Sequence, residues 1–151
     1  MFLVFQGEAR RLFAEAEVAG AGSRDAGLAD SLMALFGRFF DFYAQSPELS
    51  AAILREFFFR PYEPERLGAL TREYAAQVVR RIERARARGE LRSDVPVAVA
   101  ANALFAHYAY WVQAWLGSRL VSRPEAEERL REGLQLQIDG LRPDEKKRTR
   151  R

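Results

Sequence analysis

Residues 95–116 read VPVAVAANALFAHYAYWVQAWL, twenty-two positions without a charge in a chain that is 30% charged. Asp94 before this stretch and Gly117 after it predict one capped helix. A helix that is apolar all round must be covered all round. A small domain covers one face of such a helix, so the other face calls for a partner, most simply a second copy of the chain. Projected at 100° per residue, Val95, Val99, Asn102, Ala106, Ala109 and Gln113 share one side. Leu104, Phe105, Tyr108, Trp111, Val112 and Trp115 share the broad opposite side. Small residues let another backbone come close, and amides pair across a symmetry axis, whereas large aromatics fill a core or line a cavity. The small face is therefore expected to meet the partner and the aromatic face to look into the domain.

Working outward, the spacing is helical almost throughout and no strand is legible. Phe2, Phe5, Ala9, Leu12, Phe13 and Ala16 give a first helix over residues 1–19, which Gly20-Ala21-Gly22-Ser23 ends. Asp25 is the expected cap of a second helix, with Leu28, Leu32, Leu35, Phe36, Phe39, Phe42 and Tyr43 inward. Ser46-Pro47 closes it and opens a short third helix that stops near Arg60-Pro61. A fourth begins near Pro64, with Leu67, Leu70, Tyr74, Val78, Ile82 and Ala85 as its stripe and Gly89 as a left-handed stop. Its other face, with Arg72, Glu73, Arg80, Glu83, Arg84 and Arg88, reads as solvated surface. After the uncharged segment, Ser122-Arg123-Pro124-Glu125 forms a capping box for a last helix through Leu130, Leu134, Ile138 and Leu141. The expected fold is all-α, a bundle of about six helices over residues 1–141, followed by a disordered basic tail over 142–151.

Composition narrows the function. The formal net charge of +3 arises in the last ten residues, which hold six of the 24 basic and two of the 21 acidic groups. Residues 1–141 carry a net charge of −1, so the body is not a basic nucleic-acid surface. The tail cations, Lys146, Lys147, Arg148, Arg150 and Arg151, suit a solubilising end or non-specific phosphate contact. No cysteine is present, which excludes disulfides, thiolate metal sites and cysteine catalysis and fits a reducing, cytoplasmic setting. Residues 95–116 are long enough to span a bilayer, but Pro96, Asn102, His107 and Gln113 and the many alanines speak against it, and no membrane partner is expected. There is no Gly-rich phosphate loop, nucleophile motif or paired-acid setting. One histidine cannot supply a helical-bundle metal centre. Neither an enzyme nor a cofactor or metal is therefore expected.

The remaining candidates are aromatic. Phe36, Phe39, Tyr43, Phe57, Tyr74, Phe105, Tyr108 and Trp111, with His107, are the residues expected to line an apolar pocket with polar tips. Each is also what plain core packing would use, and His107 also reads as a buried, hydrogen-bonded core histidine. Arg55, Glu56 and Arg60 beside Phe57-Phe58-Phe59 would orient a polar ligand group or form a solvated face.

In their order, these elements resemble the C-terminal half of TetR-family transcriptional regulators. The Gly89-Glu90-Leu91-Arg92 corner followed by Asp94 is similar to that family's turn between its seventh and eighth helices. The Ala-rich aromatic helix and the last helix, with Glu132, Gly133, Leu134, Gly140 and Leu141, resemble its dimerisation pair. Ser46-Pro47-Glu48-Leu49 suits its sixth-helix region. The resemblance covers about residues 1–141. It implies a homodimer formed through the last two helices, with Val99, Asn102, Ala106, Ala109, Gln113, Leu130, Leu134 and Ile138 at the interface. It further implies a regulator, most simply a repressor, that senses a small apolar or aromatic effector. The family's N-terminal helix-turn-helix has no counterpart here, so DNA binding would depend on a reader that this chain lacks. The alternative is a stand-alone dimeric ligand-binding or protein-interaction module without DNA binding.

Overall fold

The computed structural model describes residues 7, 10, 11, 14 and 15, residues 26–59 and residues 64–143, with the backbone alone at 56–59 and 64–71. Within these, five α-helices follow one another: α1 (Leu28–Gln45), α2 (Pro47–Phe59), α3 (Pro64–Ala87), α4 (Val97–Val112) and α5 (Arg123–Asp139). A π-helical turn, Gln113–Gly117, extends α4. No strand occurs among the described residues, so the all-α bundle read from the periodicity is the observed class. The expected first helix falls largely outside the described residues. Gly7, Arg10, Arg11, Ala14 and Glu15 are helical, and Glu15 pairs with Arg38 of α1 at 3.5 Å. Most of the basic tail, residues 144–151, also lies outside them.

The helix boundaries follow local chemistry, with two corrections. The helix α1 starts at Leu28 behind Gly27, which offers no side-chain cap. Glu90 supplies one instead, its Oε1 accepting the Leu28 N–H at 2.8 Å. The expected cap, Asp25, lies outside the described residues. Helix α4 starts at Val97 behind Pro96, also uncapped by a side chain, and Asp94 pairs with Arg92 at 3.2 Å. Proline at the N-cap fixes φ there and sets the entry two residues later than expected. Other signals held. Gly89 adopts φ 74°, the left-handed stop that a Cβ would strain. Ser122 Oγ accepts the Glu125 N–H at 3.3 Å to open α5.

The core forms where α1, α3, α4 and α5 meet. Leu28, Leu32, Leu35, Phe36 and Phe40 of α1, Val78 and Ile82 of α3, Leu104, Tyr108 and Val112 of α4, and Leu130, Leu134 and Ile138 of α5 are buried together. The last three correct an expectation. They are fully enclosed by their own chain, because α5 turns its 130–134–138 stripe onto α1 and α4. No surface of theirs is left for a partner. Helix α5 lies close on α4 at Gly133, where a Cβ would run into the His107 imidazole. Among the described residues no helix is long and apolar enough to cross a membrane.

Candidate functional site

The aromatic residues picked out from the sequence divide into two groups. Phe36, Phe39 and Tyr43 of α1, Tyr74 of α3, and Phe105 and Tyr108 of α4 converge on one cluster. Phe36 stacks on Tyr108 with centroids 4.4 Å apart, and Tyr74 stacks on Tyr108 at 5.5 Å. Phe39 and Phe105 meet Tyr74 edge-on at 5.0 and 5.2 Å. The Tyr108 hydroxyl donates to the Tyr43 hydroxyl at 3.2 Å. The spacing of 36, 39 and 43 puts these α1 side chains on one face, as does that of 105 and 108 on α4.

His107 and Trp111 belong elsewhere. One helical turn apart on α4, they sit half-buried at the seam with α5, and Trp111 Nε1 donates to His107 Nε2 at 3.3 Å. Tyr110 lies edge-on to Trp111 at 5.0 Å. The side chain of Phe57 lies outside the described residues.

Burial dominates the electrostatics of the cluster. It pushes the Tyr43 phenol up to about 12, and the bond received from Tyr108 partly offsets this. It also raises the phenols of Tyr74 and Tyr108 well above their ordinary value. Neutral hydroxyls that donate and accept are thus held among apolar rings across the alkaline range.

Two polar residues extend the cluster along α3 and were not picked out from the sequence. Gln77 is 1% exposed and Arg81 is 5% exposed. Arg81 Nη1 donates to the Gln77 carbonyl oxygen at 3.0 Å and to its Oε1 at 2.8 Å. The signal was present: 77 and 81 fall in register with Tyr74, Val78, Ile82 and Ala85, so both interrupt the inward stripe. The face expected to be solvated is exposed at Arg72, Glu73, Glu83, Arg84 and Arg88, whereas Arg80 is half-buried.

The predicted interface residues on α4 lie at the surface. Val99 is 64% exposed, Asn102 and Ala106 are exposed, and Ala109 and Gln113 are half-buried. Ala103 and Tyr110 (60% exposed) widen this strip, and Leu136 of α5 is 76% exposed. The strip and the inner cluster divide α4 between small and aromatic residues as the projection anticipates, apart from Tyr110, an aromatic on the exposed strip, and Trp111, which lies outside the inner cluster. No family model matches the chain, and neither a curated protein nor a solved structure matches it.

Proposed function

We propose that the chain is the ligand-binding and dimerisation domain of a transcriptional regulator of the TetR kind. Two copies meet through the outer face of α4, and the small-molecule effector enters the aromatic cluster behind it. The observation that carries this reading is the uncharged strip on α4, from Val99 through Asn102, Ala103 and Ala106 to Tyr110. It leaves an otherwise charged surface open over three helical turns, with two large apolar side chains standing in solvent. Its small side chains suit close approach of a second helix, and Asn102 can pair with its own copy across a two-fold axis. The second support is the arrangement of α4 itself, which carries Phe105 and Tyr108 of the inner cluster on its other side. A molecule bound among those rings shifts the position of the helix that forms the interface. It changes the pairing only by its difference in affinity for the two arrangements. Contact with an operator falls to a separate helix-turn-helix.

Molecular mass measured across a concentration series tests the reading. The expected mass is twice that of one chain. Cysteine placed at Ala106 should cross-link symmetrically under oxidation, and cysteine at Trp111 should not. A protein that stays monomeric at high concentration would remove the basis of the proposal.

A further inference from the structure

The corner between α3 and α4, residues 88–95, holds both the start of α1 and the end of α5. Beginning from the reading above, in which two copies pair through α4, we infer that this corner is a coupling joint. It ties the pairing of two copies to the capping of α1, so that the segment entering α1 through Ala26 and Gly27 responds to whether the chain is paired.

The joint has three parts. First, α4 has no anchor of its own at its start. Pro96 stands at its N-cap without an N–H, and no side chain caps it. Its attitude is set by the corner, where Leu91 and Val95 are buried and Arg86 Nη1 donates to the Val95 carbonyl oxygen at 3.5 Å. Second, the same corner grips two other helix ends. Glu90 Oε1 accepts the Leu28 N–H at 2.8 Å, and Arg88 donates to the Ala26 carbonyl oxygen at 3.3 Å. Arg92 reaches the other way, its N–H to the Leu141 carbonyl oxygen at 2.9 Å and its Nη1 to that of Gly140 at 3.4 Å. Gly27 gives α1 no cap of its own, so the first turn of α1 depends on Glu90. Third, the exposed strip begins at Val99, inside the first turn of α4. A second copy seated on Val99 and Asn102 therefore steadies the segment that carries Glu90. Whatever holds α4 in one attitude holds the cap, and by linkage the cap favours pairing by the same factor.

Sedimentation and hydrogen exchange of the full 151-residue chain test this. Glu90→Ala should raise the dimer dissociation constant about fivefold or more, the lower end of a typical coupling. Glu90→Gln keeps an oxygen for the Leu28 N–H and should pair like the wild type. In the wild-type chain, the Leu28 amide should exchange about fivefold more slowly well above the dissociation constant than well below it. The Ser50 amide, held within α2 by the Ser46 carbonyl oxygen at 2.9 Å, should change less. Unchanged pairing in Glu90→Ala would overturn the joint and leave pairing through α4 standing. Pairing as weak in Glu90→Gln as in Glu90→Ala would do the same, as would a Leu28 amide that slows no more than that of Ser50. A wild-type chain that never dimerises would remove both readings. If Glu90→Ala does not fold, the exchange comparison in the wild-type chain decides.

Discussion

The carboxylate of Glu90 receives the backbone N–H of Leu28, 62 residues earlier in the chain, at 2.8 Å. Helix α1 thus takes its N-terminal cap from the corner between α3 and α4. Arg88 completes the tie, donating to the Ala26 carbonyl oxygen at 3.3 Å and to the Glu90 carboxylate at 3.1 Å. On the other side of the corner, the Arg92 N–H donates to the Leu141 carbonyl oxygen at 2.9 Å. A charged acceptor at a helix start satisfies a free amide and favours the positive end of the helix dipole. Glu90→Ala is therefore expected to cost about 1–2 kcal/mol. Chemical denaturation reads the loss, and faster exchange of the Leu28 amide separates loss of the cap from a general loosening.

Two positions with positive φ should respond in opposite directions. Gly89 has φ 74° and Arg119 has φ 51°. A side chain in that region costs about 1–2 kcal/mol, so Gly89→Ala should destabilise by about that amount. Arg119→Gly relieves the same strain, partly offset by the greater freedom of glycine in the unfolded chain. Its exposed pairing with Glu48 at 3.9 Å is worth little. Thermal melts of the two variants should move apart, down for the first and level or slightly up for the second.

Gly133 lies inside α5, where alanine would ordinarily be better by about 1 kcal/mol. It is nonetheless the residue that lets the His107 ring fit, since a Cβ there would collide with the imidazole. Gly133→Ala should lower stability in the wild-type chain by displacing His107 and its bond with Trp111. In a His107→Ala background the same change should raise it by up to about 1 kcal/mol. A cycle of four denaturation curves checks the change of sign. Equal effects in both backgrounds would show that the two positions do not constrain each other.

The buried tyrosines give an alkaline signature. Folding raises the phenol of Tyr43 from 10.0 to about 12, so the folded state holds the proton that the unfolded state releases. That contribution is fully present below pH 10 and is lost as the pH rises towards 12. For Tyr43 alone the loss is about 3 kcal/mol. Tyr74 and Tyr108 shift in the same direction. Absorbance of tyrosinate, followed together with circular dichroism, should show these three of the five tyrosines ionising only as the helices melt. Ionisation of all five in a chain that keeps its helical signal would contradict the burial described.

Much of this architecture was legible because helical periodicity records which side of each segment is wet. The stripe at 28, 32, 35, 36, 39 and 43 is buried as read, with Phe42 only half-buried, and α4 divides into small and aromatic sides except at Tyr110 and Trp111. Contacts between distant segments were not legible. Nothing local to Gly27 announces that Glu90 will cap α1, and nothing in Asp94 shows that it will pair with Arg92 and leave the start of α4 uncapped. The last helix shows a further limit. An amphipathic stripe tells that Leu130, Leu134 and Ile138 turn away from water, but not whether the cover comes from the same chain or from a twin. For His107 the residue type allowed both a ligand contact and a hydrogen-bonded core histidine; it lies against Gly133 of α5 and bonds to Trp111, whereas position 108 faces the cluster. In the site, Gln77 and Arg81 sat in plain register with the buried stripe and were masked by the arginines around them.

The π-helical turn sets a rule for length variation in this chain. Its wide loop closes with the Ser118 N–H on the Gln113 carbonyl oxygen at 2.9 Å, five residues back, which places one residue more in that turn than an α-helix would hold. Past it, Trp115 stacks on Phe40 at 5.2 Å and Leu116 is buried. Removing a single residue between 113 and 117 would restore an ordinary spiral and swing everything downstream by about 100°. The indole would leave its shelf on Phe40 and the α5 entry would be misaimed. Exchanges of one side chain for another are tolerable here in a way that a one-codon deletion is not.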